Sequence, residues 1–305
     1  MPDKLYLFLS AAIKEGRMKV LSVFNQKGGV GKTTTTINLG AAFALMMSHE
    51  VGAKEEPGRV LIIDLDQQTH SEITLSGGFF GQRRQTGLGP YDNIAGLLML
   101  DTTLPVTDII QTAEIPLGAR HNMDFIPSSK EKMPNVDSAL KNDPVDGLFR
   151  LREILETLEP FYQYVVIDNP PGLSYLSINS LVGSTHVLIP CQLEAPSIES
   201  LSGALKTIQS VQRQHNRNLQ LLGILPTMCD FRQQEQHEFL DSLNKEYRNL
   251  ILKPISRRAD VNYANSEGLD IFSFKPSRKS SEMVSASPAT QEFAQVAEEI
   301  RQRMD

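Results

Sequence analysis

Residues 27–34 read Lys27-Gly28-Gly29-Val30-Gly31-Lys32-Thr33-Thr34, and their setting constrains the fold more than any other feature. The octet follows the apolar run Val20-Leu21-Ser22-Val23-Phe24 and precedes Ile37-Asn38-Leu39-Gly40-Ala41-Ala42-Phe43, which has helical spacing. A strand, a glycine loop and a helix in that order form the context of a phosphate-binding P-loop. Glycines let backbone N–H groups turn inward around phosphate oxygens, and the helix N-terminus adds positive potential. Lys32 is spaced to reach the β- and γ-phosphates, and the Thr33 hydroxyl to ligate Mg²⁺. The ordinary loop has glycine at position 26; this chain has Gln26, followed by a second lysine, Lys27.

The runs at 20–24, 60–65, 164–167, 186–189 and 221–225 are short and rich in Val, Ile and Leu. Such runs predict strands of a parallel sheet, buried on both faces. Helical patterns fill the intervals at 33–47, 148–158, 176–181, 198–214 and 233–247. The alternation predicts an α/β fold, a doubly wound and mostly parallel sheet flanked by helices. Residues 292–304 predict a closing amphipathic helix. We expect an N-terminal extension over 1–17 and a single domain over 18–305. The glycine-rich stretch 77–90 reads as either a lid or a plain surface insertion.

Two predicted strands end in carboxylates: Asp64 and Asp66 in Ile63-Asp64-Leu65-Asp66-Gln67-Gln68, and Asp168 in Ile167-Asp168-Asn169-Pro170-Pro171-Gly172. Ligands of open α/β sheets bind at that strand edge. Period-two geometry sends Asp64 and Asp66 to one side, toward phosphates or Mg²⁺. Asp168 is placed to hold a metal-bound water.

The formal net charge of −6 over 305 residues argues against a protein that coats nucleic acid with its whole surface. A local window runs against that balance. Between 253 and 279, six basic residues (Lys253, Arg257, Arg258, Lys275, Arg278, Lys279) face three acidic ones (Asp260, Glu267, Asp270). Two cysteines, Cys191 and Cys229, give neither a disulfide framework nor metal-type spacing, which suits a reducing cytoplasm. No apolar run approaches the ~20 residues a membrane helix needs. Residues 5–13 carry a short apolar patch without the cleavage site of a signal peptide.

Together the loop, the two acidic strand ends and Gly223-Ile224-Leu225-Pro226-Thr227-Met228-Cys229-Asp230-Phe231-Arg232 resemble the ParA/Soj group of the ParA–MinD family of deviant Walker A ATPases. The resemblance runs from about residue 19 to the C-terminus and implies a P-loop NTPase fold with ATP and Mg²⁺ as cofactors. It implies that Gly28, Gly29, Val30, Gly31, Lys32, Thr33 and Thr34 hold the nucleotide's phosphates. Lys27 would reach across a sandwich homodimer to the partner's phosphates, as an arginine finger does in trans. Asp66 would position the attacking water in the first switch region, and Asp168 would sit near Mg²⁺ in the second. Catalysis would thus fall to Lys27, Lys32 and Asp66, with Thr33, Asp66 and Asp168 on the metal side. Thr227, Met228 and the segment near Pro254 would border the adenine.

The family's basic DNA-contact segment aligns with Ile255-Ser256-Arg257-Arg258-Ala259-Asp260, so Arg257 and Arg258, with Lys275, Arg278 and Lys279, are the candidate DNA contacts. There are two departures: Gln67 replaces the family's usual proline, and Asp260 falls near a usual arginine. The implied function is partition: an ATP-bound dimer binds DNA non-specifically, and a ParB-like partner stimulates hydrolysis to move plasmid, chromosome or other cargo. The protein would be cytoplasmic and nucleoid-associated when ATP-bound, with no membrane partner.

Two other readings differ in class. A MinD-like membrane-associated positioning ATPase needs a terminal helix with a basic polar face and a bulky apolar one. Here the acids Glu292, Glu298, Glu299 and Asp305 outnumber Arg301 and Arg303. An electron-transfer ATPase resembling nitrogenase iron protein needs two cysteines per subunit around a shared cluster. Cys191 and Cys229 match the count, but no thiol closely follows the second switch region.

Overall fold

The computed structural model describes residues 18–50, 58–68, 74–75, 88–113, 122–274 and 287–305. The expected extension over 1–17 and most of the glycine-rich stretch lie outside them.

Seven strands form one sheet in the order β3-β4-β2-β5-β1-β6-β7. They are β1 (Lys19–Val23), β2 (Val60–Asp64), β3 (Gln111–Thr112), β4 (Met123–Ile126), β5 (Tyr164–Asp168), β6 (His186–Gln192) and β7 (Gln220–Thr227). All pair in parallel except β3, which runs antiparallel to β4. Among the described residues the α-helices that frame the sheet are α1 (Lys32–Glu50), α2 (Ile94–Met99), α3 (Val106–Ile109), α4 (Met133–Asn142), α5 (Arg150–Leu158), α6 (Tyr175–Gly183), α7 (Ala195–Gln214), α8 (Gln234–Tyr247), α9 (Ala259–Glu267) and α10 (Pro288–Met304).

Each central strand is apolar on both sides because each side has its own helical cover. Val60 and Ile62 face one core with Leu39 and Phe43 of α1 and Phe293, Val296 and Ile300 of α10. Leu61 and Ile63 face a second core with Ile94 of α2, Met133 and Val136 of α4, and Leu151 and Leu155 of α5. Under β6 and β7, Leu201, Ala204 and Ile208 of α7 cover Val187, Ile189 and Ile224. The apolar stripe of the closing helix is therefore spent on the protein's own core. No helix among the described residues is long and apolar enough to cross a membrane.

The five expected strands all form, with no end shifted by more than three residues. β3, β4, α2, α3, α4 and α9 were not anticipated. One local expectation is corrected. β2 stops at Asp64, so Asp66 lies beyond the strand in a turn, and strand periodicity does not set its direction. Instead the Asp64 carboxylate accepts the Asp66 backbone N–H at 2.9 Å. The Asp66 carboxylate in turn accepts Gln68 N–H at 3.0 Å. This pair of Asx-type contacts turns the chain just after β2, where Gln67 stands.

Candidate functional site: a nucleotide-binding loop

β1 lies inside the sheet, between β5 and β6, and the chain leaves it in a glycine loop at the C-terminal strand edge. Gly29 (φ 74°) and Gly31 (φ 84°) are left-handed, a conformation costing other L-residues roughly 1 kcal/mol or more. A Cβ on Gly31 would come within 3.4 Å of the Met228 methyl carbon. The loop is pinned by its neighbours. Buried Asn25 donates to Pro190 O (2.7 Å) at the end of β6 and accepts Lys27 N–H (2.9 Å). Gln26 donates to Thr207 Oγ1 on α7 at 3.0 Å, and its carbonyl accepts Gly172 N–H at 2.7 Å. On the other side, Thr227 Oγ1 donates to Val30 O at 2.9 Å.

The two lysines point in different directions. Lys32, 6% exposed, opens α1 and donates to Lys27 O at 3.0 Å, inside the loop. Burial pulls its pKa down, while the nearby charges of Asp168 and Asp66 pull it back up. Lys27 is half-buried at the loop's outer wall. Its ammonium pairs with Glu194 Oε1 and donates to Ser197 Oγ at 2.9 Å, at the start of α7. Sequence reasoning missed both partners. The only signal was that Glu194 follows the end of β6, where ligand sites gather.

Asp168 aligns in register with Asp64 on one side and Val23 on the other. Both acids are buried, and Leu65 N–H donates to Asp168 O at 3.0 Å, locking the two strand exits together. Asp66 is half-buried beside them. Thr33 stands in the first turn of α1. Among the described residues, no cluster of three His, Cys, Asp or Glu side chains is ready-made for a metal. That donor set fits Mg²⁺, which keeps several waters and takes phosphate oxygens in preference to an all-protein cage. The left-handed glycine loop with a buried lysine fits the triphosphate. When bound, the metal would neutralise phosphate charge, and Thr33, Asp66 and Asp168 would be the residues to hold it or its waters.

Met228 holds φ 51° and accepts a hydrogen bond from Gln192 Nε2 at 3.1 Å, which keeps its side chain over Gly31. Pro254 lies in an extended segment running beside β7. Leu252 N–H donates to Ile224 O at 2.9 Å and Ile255 N–H to Pro226 O at 2.8 Å. Thr227 and Met228 therefore line the loop's far edge, and Pro254 belongs to the segment beside β7.

The candidate DNA residues fare unevenly. Arg257 is exposed. Arg258 is spent on Glu292 of α10 through Nη2 (2.7 Å) and Nε (3.2 Å), and Glu292 also accepts Ser256 N–H at 2.9 Å. Lys275, Arg278 and Lys279 lie outside the described residues. Cys191 and Cys229 are buried, and burial pushes their thiols up to about 11 and about 12. Such thiols are protonated packing groups, unsuited to a cluster shared between subunits.

A family profile for the AAA domain matches residues 18–221. The sporulation initiation inhibitor protein Soj of Bacillus subtilis is 31% identical over 266 residues, which are 87% of this chain and 94% of Soj. The chromosome partitioning protein ParA of Myxococcus xanthus is 30% identical over 243 residues, 79% of this chain and 75% of its own. A putative plasmid partition protein from Borrelia burgdorferi, solved with AMPPNP, shares the fold: TM-score 0.70 at 23% identity, covering 93% of this chain and 99% of that one. Cobyrinic acid a,c-diamide synthase from Mycobacterium smegmatis, solved with an ATP analogue and magnesium, has TM-score 0.68 at 25% identity, covering 92% and 93%. With identity at this level sustained across most of both sequences, the chain belongs to the ParA/Soj family of ATPases.

Proposed function

We propose that this ATPase is a partition motor that binds and hydrolyses ATP with Mg²⁺ and pairs in its ATP state as a sandwich homodimer. The dimer binds DNA non-specifically, and a ParB-like partner triggers hydrolysis and release. The cycle segregates a plasmid, a chromosome or other cargo in the cytoplasm, with the ATP form on the nucleoid. The observation that carries this reading is the division of labour at one loop. Lys32 turns inward to its own pocket, and Lys27 lies at the outer wall, where a second subunit can offer a triphosphate.

Within each subunit the residues have separate tasks. The glycine loop and α1 N-terminus bind the phosphates, and Lys32 balances their charge. Asp66, in the turn set by Asp64, positions the attacking water. Lys27 supplies a cation only after pairing, so the pocket is electrostatically complete only in the dimer. The membrane-associated alternative loses its C-terminal anchor, because the apolar stripe of α10 is buried.

The test is DNA retention at graded salt with ATP or ADP. Retention with ATP alone, falling steeply with salt, is expected. Equal retention in both states, or none in either, would remove the DNA switch.

A further inference from the structure

One contact links the nucleotide loop to α9, the helix that begins at the basic turn. Asn265, in the last turn of α9, donates from Nδ2 to Thr34 Oγ1 at 3.1 Å. Thr34 lies in the first turn of α1, one residue after Thr33, where the backbone N–H groups face the phosphate site. The contact has support on both sides. Asn38, one turn further along α1, donates to Thr34 O at 2.7 Å and accepts Ile271 N–H at 2.7 Å. Gly268, left-handed at φ 66°, ends α9 with its N–H on Ala264 O and Asn265 O. Asn265 is thereby held at the helix terminus, against α1.

A hydroxyl has one proton to donate and two lone pairs to accept with. The Asn265 amide fills a lone pair of Thr34 Oγ1, so the hydroxyl proton stays available for an oxygen in the loop. We propose that Asn265 is a positioning residue for the nucleotide: it orients the Thr34 hydroxyl so that its proton points at a phosphate oxygen. Asn265 acts through Thr34 and needs no contact with the nucleotide. The same bond makes α9 respond to occupancy, because a Thr34 held from both sides holds Asn265 and the end of α9 more tightly.

The test is a set of variants, Asn265→Ala, Asn265→Asp, Thr34→Val and the double variant Asn265→Ala/Thr34→Val. It measures equilibrium binding of a fluorescent ATP analogue with Mg²⁺, together with hydrogen exchange over residues 259–271. Asn265 is exposed, so its variants should fold, and unfolding curves matching wild type verify that. Asn265→Ala should weaken binding about 3- to 10-fold, as for a lost neutral hydrogen bond. Asn265→Asp should weaken it more, roughly 10-fold or beyond, because a carboxylate takes the Thr34 proton and adds negative charge near the phosphates. In the Thr34→Val background, Asn265→Ala should have no further effect. Nucleotide should protect 259–271 from exchange in wild type and not in Asn265→Ala. Wild-type binding by Asn265→Asp, or independent effects of the two single substitutions, would overturn the proposal. So would nucleotide protection of α9 that persists without the amide.

Discussion

Lys27 ends on Glu194 of its own chain, with Ser197 as second partner. For the lysine to serve a neighbouring subunit's triphosphate, that ion pair has to be exchanged for phosphate. Glu194 is half exposed, so the pair costs little to break, on the order of 1 kcal/mol or less. Glu194→Gln should lower the protein concentration needed for the ATP-bound dimer, by up to about 5-fold. Lys27→Ala should abolish ATP-induced pairing while ATP binding persists. Light scattering with ATP and ADP checks both, and an unchanged dimer in Lys27→Ala would remove its role in trans.

Asp66→Ala should bind ATP, pair and stay paired, with turnover lowered about 10²- to 10⁴-fold, the usual contribution of a positioned acid or base. Asp64→Asn should do less harm, since an amide oxygen still accepts the Asp66 N–H. Single-turnover hydrolysis separates them. Normal turnover in Asp66→Ala would refute the water-positioning role.

The adjacent arginines should behave differently. Arg257 is exposed, so Arg257→Ala should weaken DNA binding and reduce the slope of log affinity against log salt by about 1 per subunit. Arg258→Ala should instead lower stability by about 0.5–1 kcal/mol through the lost Glu292 pair. An unchanged salt slope in Arg257→Ala would remove it from the DNA surface.

His186 opens β6, buried, with Nδ1 against Thr185 Oγ1. Burial first, then the Lys19 charge, lowers its pKa to about 4. The folded state thus binds this proton less readily than the unfolded one. The associated stability is fully present above about pH 6.5 and is lost as the pH falls toward 4. The loss by pH 4 should be on the order of 1–3 kcal/mol. Urea midpoints between pH 7 and 4 should fall less for His186→Gln than for wild type. Parallel pH profiles would exclude this histidine.

What the sequence showed and hid follows from where its signals lie. β1, β2, β5, β6 and β7 were legible because burial on both faces leaves unbroken apolar runs. β4 was not, because Asp124 interrupts Met123-Asp124-Phe125-Ile126. Its buried carboxylate is held by Arg59 and by the Tyr162 hydroxyl at 2.8 Å. β3 has two residues, too short for any periodicity. α9 buries only Ala264, so it shows no stripe. The glycine loop and acidic strand ends are contiguous motifs and were visible. The partners of Lys27 and Thr34 come from distant segments, which no local pattern links to the loop.

The helix that opens with Lys32 is covered on its apolar face by Phe293, Val296 and Ile300 of α10. A ribosome emits the loop early and its lid of hydrophobes about 250 residues later, a separation that slows folding. Nascent chains should therefore show α1's oily face until synthesis is nearly done, giving chaperones a site to hold. Clipping by a protease near residue 288 should silence ATP binding by uncovering the helix that carries Lys32.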